Sequence, residues 1–492
     1  MSRGFFLPSA LAAALLAGAC AVGPRPAAPV AIPAPSRGPD SLTSHAAGTF
    51  IDSLMRARLA DTAGSVPKTL RSPAPLVLDS AGAAWLKVLG DSTLEQLVRI
   101  ALGNNRDLRA AEARVREYRA TLGATRADLF PQLSANGAGS TNQAVFGAFP
   151  PQKYDAIRIT ADVSWELDFW GKLRRQAQAA RLDWRGREAD QQAVLLSLVS
   201  DVAEAYLDLR QLDAELGIAE RTLASRQATL DLSRQRFKQG VISELDVRQF
   251  EAEAAVPAAS VADFARQRAQ KENALRLLLG QSPGPIPRGR PLEEVVQSVQ
   301  MPDSVPGELL ARRPDVLGAE LAYEAATARV GVAVGNRLPK FTVTAQYGTQ
   351  SPDLSGLFGS NQELYTLQGG ISIPLFTGGR LTAQERAARA RAEQARAAYE
   401  QAVLRAARET SDALVGLHLN RDQLGAQATQ VSALSRAYEL ADRRYQSGVS
   451  SYLEVLDAQR GLYNAELALV QVQRQYLAST VQLFKAIGAG WE

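Results

Sequence analysis

Residues 236–247 read RFKQGVISELDV, and residues 444–455 read RYQSGVSSYLEV, 208 residues later. The same distance separates other matching pairs, namely Phe130-Pro131 with Leu338-Pro339, Gly171 with Gly379, and Leu279-Gly280 with Ile487-Gly488. A single offset at all of these places indicates that the two copies have kept the lengths of their elements. Because solenoid repeats are only about 20 to 50 residues long, we interpret the chain as a duplicated half-protein.

Each copy contains a very long stretch without proline, from Lys172 to Lys238 in the first copy and from Arg380 to Gln446 in the second. A continuous helix over such a stretch is about 100 Å long, at 1.5 Å per residue. Gly240 and Gly448 are expected to end these helices and to reverse the chain. The sequence therefore predicts two helical hairpins whose helices are roughly six times the average length.

The return helices of these hairpins are predicted from about Ser243 to Leu279 and from about Ser451 to Ile487. Pro257 should kink the first of them, because proline removes a backbone hydrogen bond within the helix. Residues 281–306 contain six prolines and are expected to form an irregular connection between the copies.

A shorter helix opens each copy, over roughly residues 93–129 and 308–338. Asp91 stands where it can cap the first of these helices. Pro131 and Pro339 are expected to end them, since proline disfavours the helical conformation of the residue before it.

Two strands follow each of these shorter helices. In the second strand of the first copy, apolar residues from Ile157 to Leu167 alternate with polar ones that include Arg158, Asp162 and Glu166. The other strands are expected over residues 133–145 and from Phe341 and Tyr365 onward. Such strands of about ten residues match a membrane β-barrel, but a half-buried soluble sheet alternates in the same way.

If the strands lie in a membrane, several chains must share one barrel. Four strands cannot close a barrel, and an open sheet edge in lipid leaves backbone groups unpaired. Three chains give twelve strands and gather the long helices into one tube. Arg158, Asp162 and Glu166 would then line the lumen, or alternatively lie near the membrane rim.

The expected fold class is therefore an internally duplicated α+β membrane protein. Its very long α-helices would form a trimeric α-helical barrel. Its four β-strands per chain would contribute to a shared 12-stranded β-barrel.

The first 19 residues have the features of a signal peptide, with Arg3 before an apolar run too short to span a bilayer. Residues 16–20, LAGAC, resemble a bacterial lipoprotein cleavage box in which Cys20 takes the lipid. The alternative is a plain secretory signal with an unrelated cysteine. Residues 20–81, rich in proline and alanine, would then form a tether.

The composition gives little support to several classes of function. Cys20 is the only cysteine and there are two histidines, so disulfides, a His/Cys metal site, a bound cofactor or a Ser-His triad are not expected. A net charge of +4 from 55 basic and 51 acidic residues is nearly balanced, whereas nucleic-acid binding needs a one-sided surplus. No group of acids or nucleophiles stands out as an active site, so the chain is not expected to be an enzyme.

The repeated segments around Gly240 and Gly448, together with the glycines and prolines at the switches between helix and strand, resemble the outer membrane factor family. This is the TolC-like family of outer-membrane efflux proteins, in its NodT-type lipoprotein branch, which residues 20–24, CAVGP, also resemble. The resemblance implies a homotrimer in the Gram-negative outer membrane, anchored by palmitate or a similar lipid and extending into the periplasm. It also implies multidrug export or a similar efflux process, with a periplasmic adaptor (membrane fusion) protein and an inner-membrane transporter of the RND type as partners.

The resemblance implies a division of the chain into functional parts. After the signal peptide (1–19) and the tether (20–81) come a first efflux-protein repeat (82–284), a linker in the equatorial region (285–307) and a second repeat (308–492). The turns at the hairpin tips would contact the adaptor through Gly240, Val241, Ser243, Gly448, Val449 and Ser451. The alternative for these residues is ordinary turn chemistry, with glycine in the left-handed conformation and serine as N-cap.

The family also closes its tube near the tips. The candidate gate residues here are Asp442, Glu439, Tyr438 and Arg443, and their alternative is a solvated helix face. The main rival hypothesis for the whole chain is a periplasmic, lipid-anchored coiled-coil protein that is itself structural or an adaptor. A cell-envelope hydrolase is a second rival, for which the sequence offers no constellation of residues.

Overall fold

The computed structural model describes residues 86–144, 152–299 and 313–488. The signal peptide, Cys20 and the tether lie outside these ranges. In chain order the elements are α1 (Leu86–Leu89), α2 (Ser92–Asn104), α3 (Arg106–Ala127), β1 (Gln132–Ala144), β2 (Gln152–Leu167), α4 (Lys172–Lys238), α5 (Glu244–Leu278), α6 (Leu292–Ser298), α7 (Pro314–Gly335), β3 (Lys340–Ser351), β4 (Glu363–Ser372), α8 (Arg380–Gln446) and α9 (Tyr452–Ala486).

The two long helices have the predicted bounds. Each contains 67 residues, and α8 begins and ends 208 residues after α4. The return helices α5 and α9 contain 35 residues each and differ by the same offset. Within the ranges that the structure describes, no helix is both long and apolar enough to cross a lipid bilayer.

The chain divides into two compact units. The first includes Ala113–Glu188 and Gly318–Gln401 and therefore holds the sheet with the adjoining helix ends. The second includes Ala189–Leu317 and Ala402–Glu492 and therefore holds both hairpin tips.

The first unit is built on one antiparallel sheet in the order β1-β2-β3-β4. The two copies meet at the centre of this sheet, where Ala161 of β2 lies opposite Tyr347 of β3. On its other side, Ala161 lies opposite Ala135 of β1. All four strands occur where they were predicted. In β2, β3 and β4 the signal was the alternation of apolar and polar residues, whereas β1 consists largely of Ala, Gly, Ser and Asn.

Aromatic side chains fix the ends of the strands to the helices of this unit. The indole N–H of Trp165 donates to the Leu129 carbonyl at 3.0 Å, and that of Trp170 donates to the Pro339 carbonyl at 2.8 Å. Phe169 packs edge-on against Phe341, with ring centroids 4.7 Å apart. Tryptophan and phenylalanine at strand ends are typical of the aromatic girdle of a membrane sheet.

The second unit has a core of leucine, valine and alanine around Tyr206, which is 1% exposed. The Tyr206 hydroxyl donates to the Asp91 carboxylate at 2.8 Å and accepts from the Gly289 N–H at 2.8 Å. The Asp91 carboxylate also accepts from the Thr93 and Leu94 N–H groups, so it caps α2 as predicted.

One prediction about helix limits was wrong. The single helix over residues 93–129 is two helices, because Asn105 interrupts it and caps α3 by accepting from the Asp107 and Leu108 N–H groups at 2.9 and 3.0 Å. The Asn105 amide also donates to the Leu278 carbonyl at 3.0 Å, which ties the break to α5.

The connection between the copies is not wholly irregular either. It contains the short helix α6, which packs against α1 and α9. Leu292 and Val295 are its buried residues, and this apolar contact explains why a helix forms in a proline-rich stretch. Pro257 lies inside α5, which continues through it to Leu278.

Candidate functional site

The first hairpin tip is a tight turn fixed by one glycine. Gly240 has a φ of +72°, in the left-handed region that favours glycine. The Gly240 N–H donates to the Phe237 carbonyl at 2.9 Å, and the Val241 N–H donates to the Arg236 carbonyl at 3.0 Å. These two bonds satisfy the last carbonyls of α4 in the Schellman arrangement.

The return helix of this tip starts with a capping box. The Asp246 N–H donates to the Ser243 hydroxyl oxygen, and the Asp246 carboxylate accepts from the Ser243 N–H at 2.9 Å. The hydrogen bonds from Ser243 hold the pKa of the Asp246 carboxyl below its ordinary value. Ser243 is therefore engaged in holding the turn.

The second tip repeats the turn but not the box. Gly448 has a φ of +75°, and the N–H groups of Gly448 and Val449 donate to the preceding helix in the same pattern. Ser451 is the N-cap of α9, but its side chain makes no capping hydrogen bond. Glu454, at the position of Asp246, instead lies 3.8 Å from the Arg444 guanidinium.

Both tips expose an apolar pair with the same spacing. Val241 and Leu245 are 67% and 66% exposed, and Val449 and Leu453 are 70% and 66% exposed. A single exposed apolar residue is ordinary, but the same pair at both tips forms matching apolar surfaces. Leu245 and Leu453 were missing from the predicted contact residues, although their recurrence at the 208-residue offset was a usable signal.

The two hairpins contact each other close to their tips. The Arg236 guanidinium donates to the Tyr445 hydroxyl at 2.8 Å. The Tyr452 ring lies 5.1 Å from the Tyr445 ring and 4.5 Å from the Phe250 ring, measured between centroids. Burial raises the pKa of the Tyr452 hydroxyl to about 12.

A buried ion cluster that sequence reasoning missed joins three helices above these rings. The Arg226 guanidinium of α4, 3% exposed, donates to the Glu253 carboxylate of α5 at 3.0 Å and to the Glu253 carbonyl at 2.8 Å. Arg460 of α9 binds the same carboxylate. The repeat gave no signal for this cluster, since Leu434 and Gly461 stand at the positions that correspond to Arg226 and Glu253.

The candidate gate residues all lie on the exposed or half-buried surface near the end of α8. The Glu439 carboxylate binds Arg436 and lies 3.4 Å from Arg443. The hydrogen bond from Arg436 lowers the pKa of the Glu439 carboxyl. The Asp442 carboxylate accepts from the Gln446 amide at 2.7 Å. In one chain the Glu439 and Asp442 carboxylates therefore bind partners on their own helix, and the partner of Asp442 is the neutral Gln446 amide.

The polar residues predicted for the lumen lie along β2 in a row of cross-strand hydrogen bonds. The Arg158 guanidinium donates to the Gln350 side chain at 3.0 Å. The Asp162 carboxylate accepts from Asn136 at 2.5 Å and from Gln346 at 2.6 Å.

Glu166 differs from these two residues, because it lies at the end of β2. It binds Lys340 at the start of β3 and Lys172 at the start of α4. The row thus presents a charged, hydrogen-bonded surface that suits contact with water better than contact with lipid.

The comparisons with known proteins agree with this geometry. The family described as "Outer membrane efflux protein" matches residues 97–281 and residues 305–489. The two matches begin and end 208 residues apart, which is the offset of the sequence repeat.

Individual relatives extend over most of the chain. The toluene efflux pump outer membrane protein TtgF of Pseudomonas putida is 36% identical over 416 residues, covering 83% of this chain and 85% of the relative. The cation efflux system protein CusC of Escherichia coli is 34% identical over 411 residues, covering 83% of this chain and 89% of the relative.

A crystal structure of CusC superimposes with a TM-score of 0.77 at 32% identity, covering 87% of this chain and 99% of that chain. The fold of this chain is therefore similar to that of a transmembrane channel of known structure. This chain belongs to the outer membrane efflux protein family.

Proposed function

We propose that this chain supplies one third of a passive conduit that leads from the periplasm across the outer membrane. The supporting observation is the sheet, in which β1 pairs only with β2 and β4 only with β3 among the described residues. Four strands are about half of the minimum for a closed barrel, and an unpaired edge is costly in lipid. Three copies joined edge to edge would provide twelve strands and remove both edges.

The long helices support the same assembly. A pair of helices about 100 Å long has little core of its own to stabilise it, so it needs lateral partners. Three copies would contribute twelve helices to one tube. Arg158, Asp162 and Glu166 would face its water-filled lumen in the membrane part. Passage through such a tube requires no reaction, and we assign the chain no enzymatic activity.

The parts of the chain follow from this proposal. Residues 1–19 would be removed as a signal peptide, and Cys20 would then receive the lipid. Residues 20–81 would tether this lipid to the folded part of the chain, which consists of the repeats at 82–284 and 308–492. Residues 285–307 would form the equatorial linker, whose helix α6 packs on α9.

The hairpin tips would meet the periplasmic adaptor. The matching exposed pairs, Val241 with Leu245 and Val449 with Leu453, support this assignment because they repeat at two turns of the same geometry. An RND-type transporter of the inner membrane would supply the energy. TtgF is described as part of a toluene efflux pump and CusC as part of a cation efflux system, so a small organic molecule or an ion is the proposed cargo.

The rival hypothesis, a periplasmic coiled-coil adaptor, has much less support. TtgF, which matches four fifths of the chain, is described as the outer membrane protein of an efflux pump, and CusC is described as a cation efflux system protein. The four-stranded sheet that joins the two copies also has no role in a simple helical hairpin.

The decisive experiment is edge-to-edge crosslinking in outer-membrane fractions. Cysteine pairs are scanned with one partner in residues 134–140 of β1 and the other in residues 365–369 of β4. Oxidation should convert a matched pair into a covalent trimer that heating in detergent does not dissociate. Without crosslinking, the sample should run as a trimer that heat converts to monomer.

The matched control is the pair Val163→Cys and Ala345→Cys, which lie opposite each other in β2 and β3 of one chain. This pair should crosslink internally and leave the monomer mobility unchanged. If every β1–β4 pair behaved like this control, or if the purified chain were a monomer, the trimeric conduit would be refuted.

A further inference from the structure

The strand register is the same in the two copies. In the first copy, Ala135 of β1 lies opposite Ala161 of β2, and in the second copy Val343 of β3 lies opposite Gly369 of β4. Each residue of the second pair stands 208 positions after its counterpart in the first pair. The offset that relates the copies in sequence therefore also relates the registers of their hairpins.

The pairing of β2 with β3, which we call the in-chain seam, shows what a neighbouring strand adds to such a hairpin. In this seam Leu167, the last residue of β2, lies opposite Phe341. Because β1 begins opposite Ser164, residues 165–167 of β2 pair with β3 alone. The end of β2 is therefore paired only with a strand that the other copy supplies.

The free edge of β4 lacks such a neighbour within the described chain. β4 ends at Ser372, and the next three residues, 373–375, belong to no described strand, although their counterparts are the end of β2. Leu375 and Phe376 are 92% and 90% exposed, whereas Leu167, at the position of Leu375, is half-buried. This edge thus carries an apolar pair that the chain itself leaves uncovered.

The free edge of β1 carries a second apolar pair at the same end of the sheet. Phe130 and Leu133 are 65% and 74% exposed. Their counterparts near the start of β3, Leu338 and Phe341, are half-buried. The Phe341 ring packs against Phe169 of the first copy, with 4.7 Å between the centroids. Positions that are covered where the two copies meet are therefore open at the outer edges of the sheet.

We propose that neighbouring chains of the trimer join β4 to β1 in the register of the in-chain seam, so that the two apolar pairs meet. In the chain, Ala161 lies opposite Tyr347. The residues at the offset positions, Gly369 of one chain and Gly139 of the next, should therefore lie opposite each other. The contact that results, which we call the apolar clasp, consists of Leu375 and Phe376 of one chain and Phe130 and Leu133 of the next. The inference rests on the proposed trimer and specifies how its chains are joined.

The apolar clasp gives the chains a physical reason to hold this one register. A shift by one residue would turn the apolar face of β4 toward the polar face of β1. A shift by two residues would displace Leu375 from Leu133 by about 6 to 7 Å along the strand. Either change would leave apolar side chains uncovered.

The seam between chains differs in chemistry from the in-chain seam. Glu166 binds Lys340 where the copies meet, but Pro374 and Gln132 stand at the offset positions. The contact between chains therefore lacks this ion pair and depends on the burial of apolar side chains. Pro374 has no N–H and would occupy a position that donates no hydrogen bond to the neighbouring strand.

Disulfide formation in outer-membrane fractions tests the register. Gly139→Cys/Gly369→Cys should give a covalent trimer on oxidation, and a side chain added at either glycine meets no atom within 4 Å. The displaced pair Gly139→Cys/Tyr365→Cys is shifted by four residues, about 13 Å along the strand, and should not crosslink. If the displaced pair alone gave the covalent trimer, the register would be refuted while the conduit stood. If no pair between β1 and β4 crosslinked, the conduit itself would be refuted.

Heat dissociation of the trimer in detergent tests the apolar clasp. Leu375→Ser/Phe376→Ser should lower the dissociation temperature by several degrees or more, because each seam loses two apolar side chains. Both residues are exposed in the single chain, so its folding should not change. The matched control is Leu354→Ser/Phe358→Ser, an exposed pair in the connection between β3 and β4, which should leave the temperature unchanged. No decrease in the clasp variant, or an equal decrease in the control, would overturn the clasp.

An exchange of charge across the seam tests whether the side chains touch. Leu133→Lys and Leu375→Glu should each lower the dissociation temperature. Together they should recover part of this loss, since the two charges then lie opposite each other between chains. If the two losses simply added, these side chains would not be in contact and the proposed register would be wrong.

Discussion

A single glycine decides each hairpin tip. Gly240 and Gly448 have φ values of +72° and +75°, and both positions are open, so backbone conformation and not crowding selects glycine there. The next residue, Val241 or Val449, is then held outward with about two thirds of its surface exposed. The turn therefore both reverses the chain and presents an apolar side chain.

Replacement of both tip glycines should abolish binding to the adaptor. In Gly240→Ala/Gly448→Ala, the left-handed conformation becomes unfavourable by about 1 to 2 kcal/mol at each tip, so the valines lose their defined positions. Site-specific crosslinking to the cognate adaptor should disappear while the oligomer remains assembled. The control Gly425→Ala lies inside α8 with open space beside it and should crosslink normally. Undiminished crosslinking in the double variant would refute the tip assignment.

The gate hypothesis concerns the residues one to two turns above the second tip. Three copies of Asp442 around one axis would form a ring that attracts cations and holds the helices together through neighbouring chains. Replacement of Asp442 by Asn, together with Gln446→Ala to remove its partner, should raise the leak conductance in a planar bilayer. Asp263→Asn alters an exposed acid of α5 that pairs with Arg266 and should leave conductance unchanged. Equal conductance in the parent protein, the Asp442→Asn/Gln446→Ala variant and the Asp263→Asn control would exclude Asp442 from the gate.

At the scale of elements, the hairpins are joined by the cluster of Arg226, Glu253 and Arg460. The side chains belong to α4, α5 and α9, and the Arg226 guanidinium is almost fully buried. A buried ion pair contributes little net stability, but loss of one partner leaves the other charge buried and unpaired. The cluster therefore specifies which helices pack together.

Glu253→Gln should destabilise the hairpins by about 3 to 5 kcal/mol, because Arg226 remains buried without its carboxylate. Native-state hydrogen exchange of the α5 amides measures this free energy of opening. Glu244→Gln is the control, since Glu244 forms a solvent-exposed pair with Arg248 at 3.3 Å, and exposed pairs of this kind contribute little to stability. If Glu253→Gln lowered the free energy of opening no more than the control does, water would have to reach the Arg226 charge.

The helix α7 contains two acids whose charges are unfavourable in the fold. Burial raises the pKa of the Glu320 carboxyl, and burial together with the charge of Glu320 raises the pKa of Glu324. The folded chain therefore holds these protons at a pH at which the unfolded chain, with an ordinary pKa near 4.5, has released them. Stability that depends on these protons is present at low pH and is lost as the pH rises through the raised pKa.

Glu324→Gln should consequently raise the unfolding temperature at pH 7, since it removes a half-buried charge and its repulsion with Glu320. The gain in unfolding temperature should shrink as the pH falls through the raised pKa. It should vanish below about pH 4, where the carboxyl is protonated in both the folded and the unfolded chain. Thermal unfolding followed by circular dichroism at pH 4 and pH 7 measures this difference. A gain that did not change with pH would mean that packing, and not protonation, caused it.

At the scale of the whole molecule, the two copies are joined in one sheet, where β2 of the first pairs with β3 of the second. The duplication therefore produces one continuous four-stranded wall. Polar side chains from β1, β2 and β3 meet on this wall around Asp162. If the wall encloses a lumen, the charge of Asp162 should influence which ions pass.

Asp162→Lys should lower the preference of the conduit for cations over anions by several-fold, because it reverses a fixed charge within a narrow aqueous passage. Reversal potentials in a planar bilayer with a salt gradient measure this preference. Asp155→Lys makes the same change at an odd-numbered position of β2, on the alternate face, and should alter the reversal potential far less. Equal effects of the two variants would contradict the lumen assignment.

The sequence by itself determined the bounds of the long helices, both tip turns and the position of every strand. These features are local, because proline-free stretches, glycines with positive φ and a period of two act within a few residues. The repeat strengthened these predictions, because each local pattern occurs in both copies at the same 208-residue offset. The structure alone showed the break at Asn105, the helix α6 and the cluster around Glu253.

The break at Asn105, the helix α6 and the cluster around Glu253 depend on partners that are distant in the chain. Asn105 is held by the Leu278 carbonyl, 173 residues away, and Arg460 reaches Glu253 across 207 residues. No local pattern marks such pairs, and in the second copy other residues stand at the equivalent positions. Local backbone preferences therefore set the elements of this protein, whereas long-range packing and the burial of charge decided how its helices pack together.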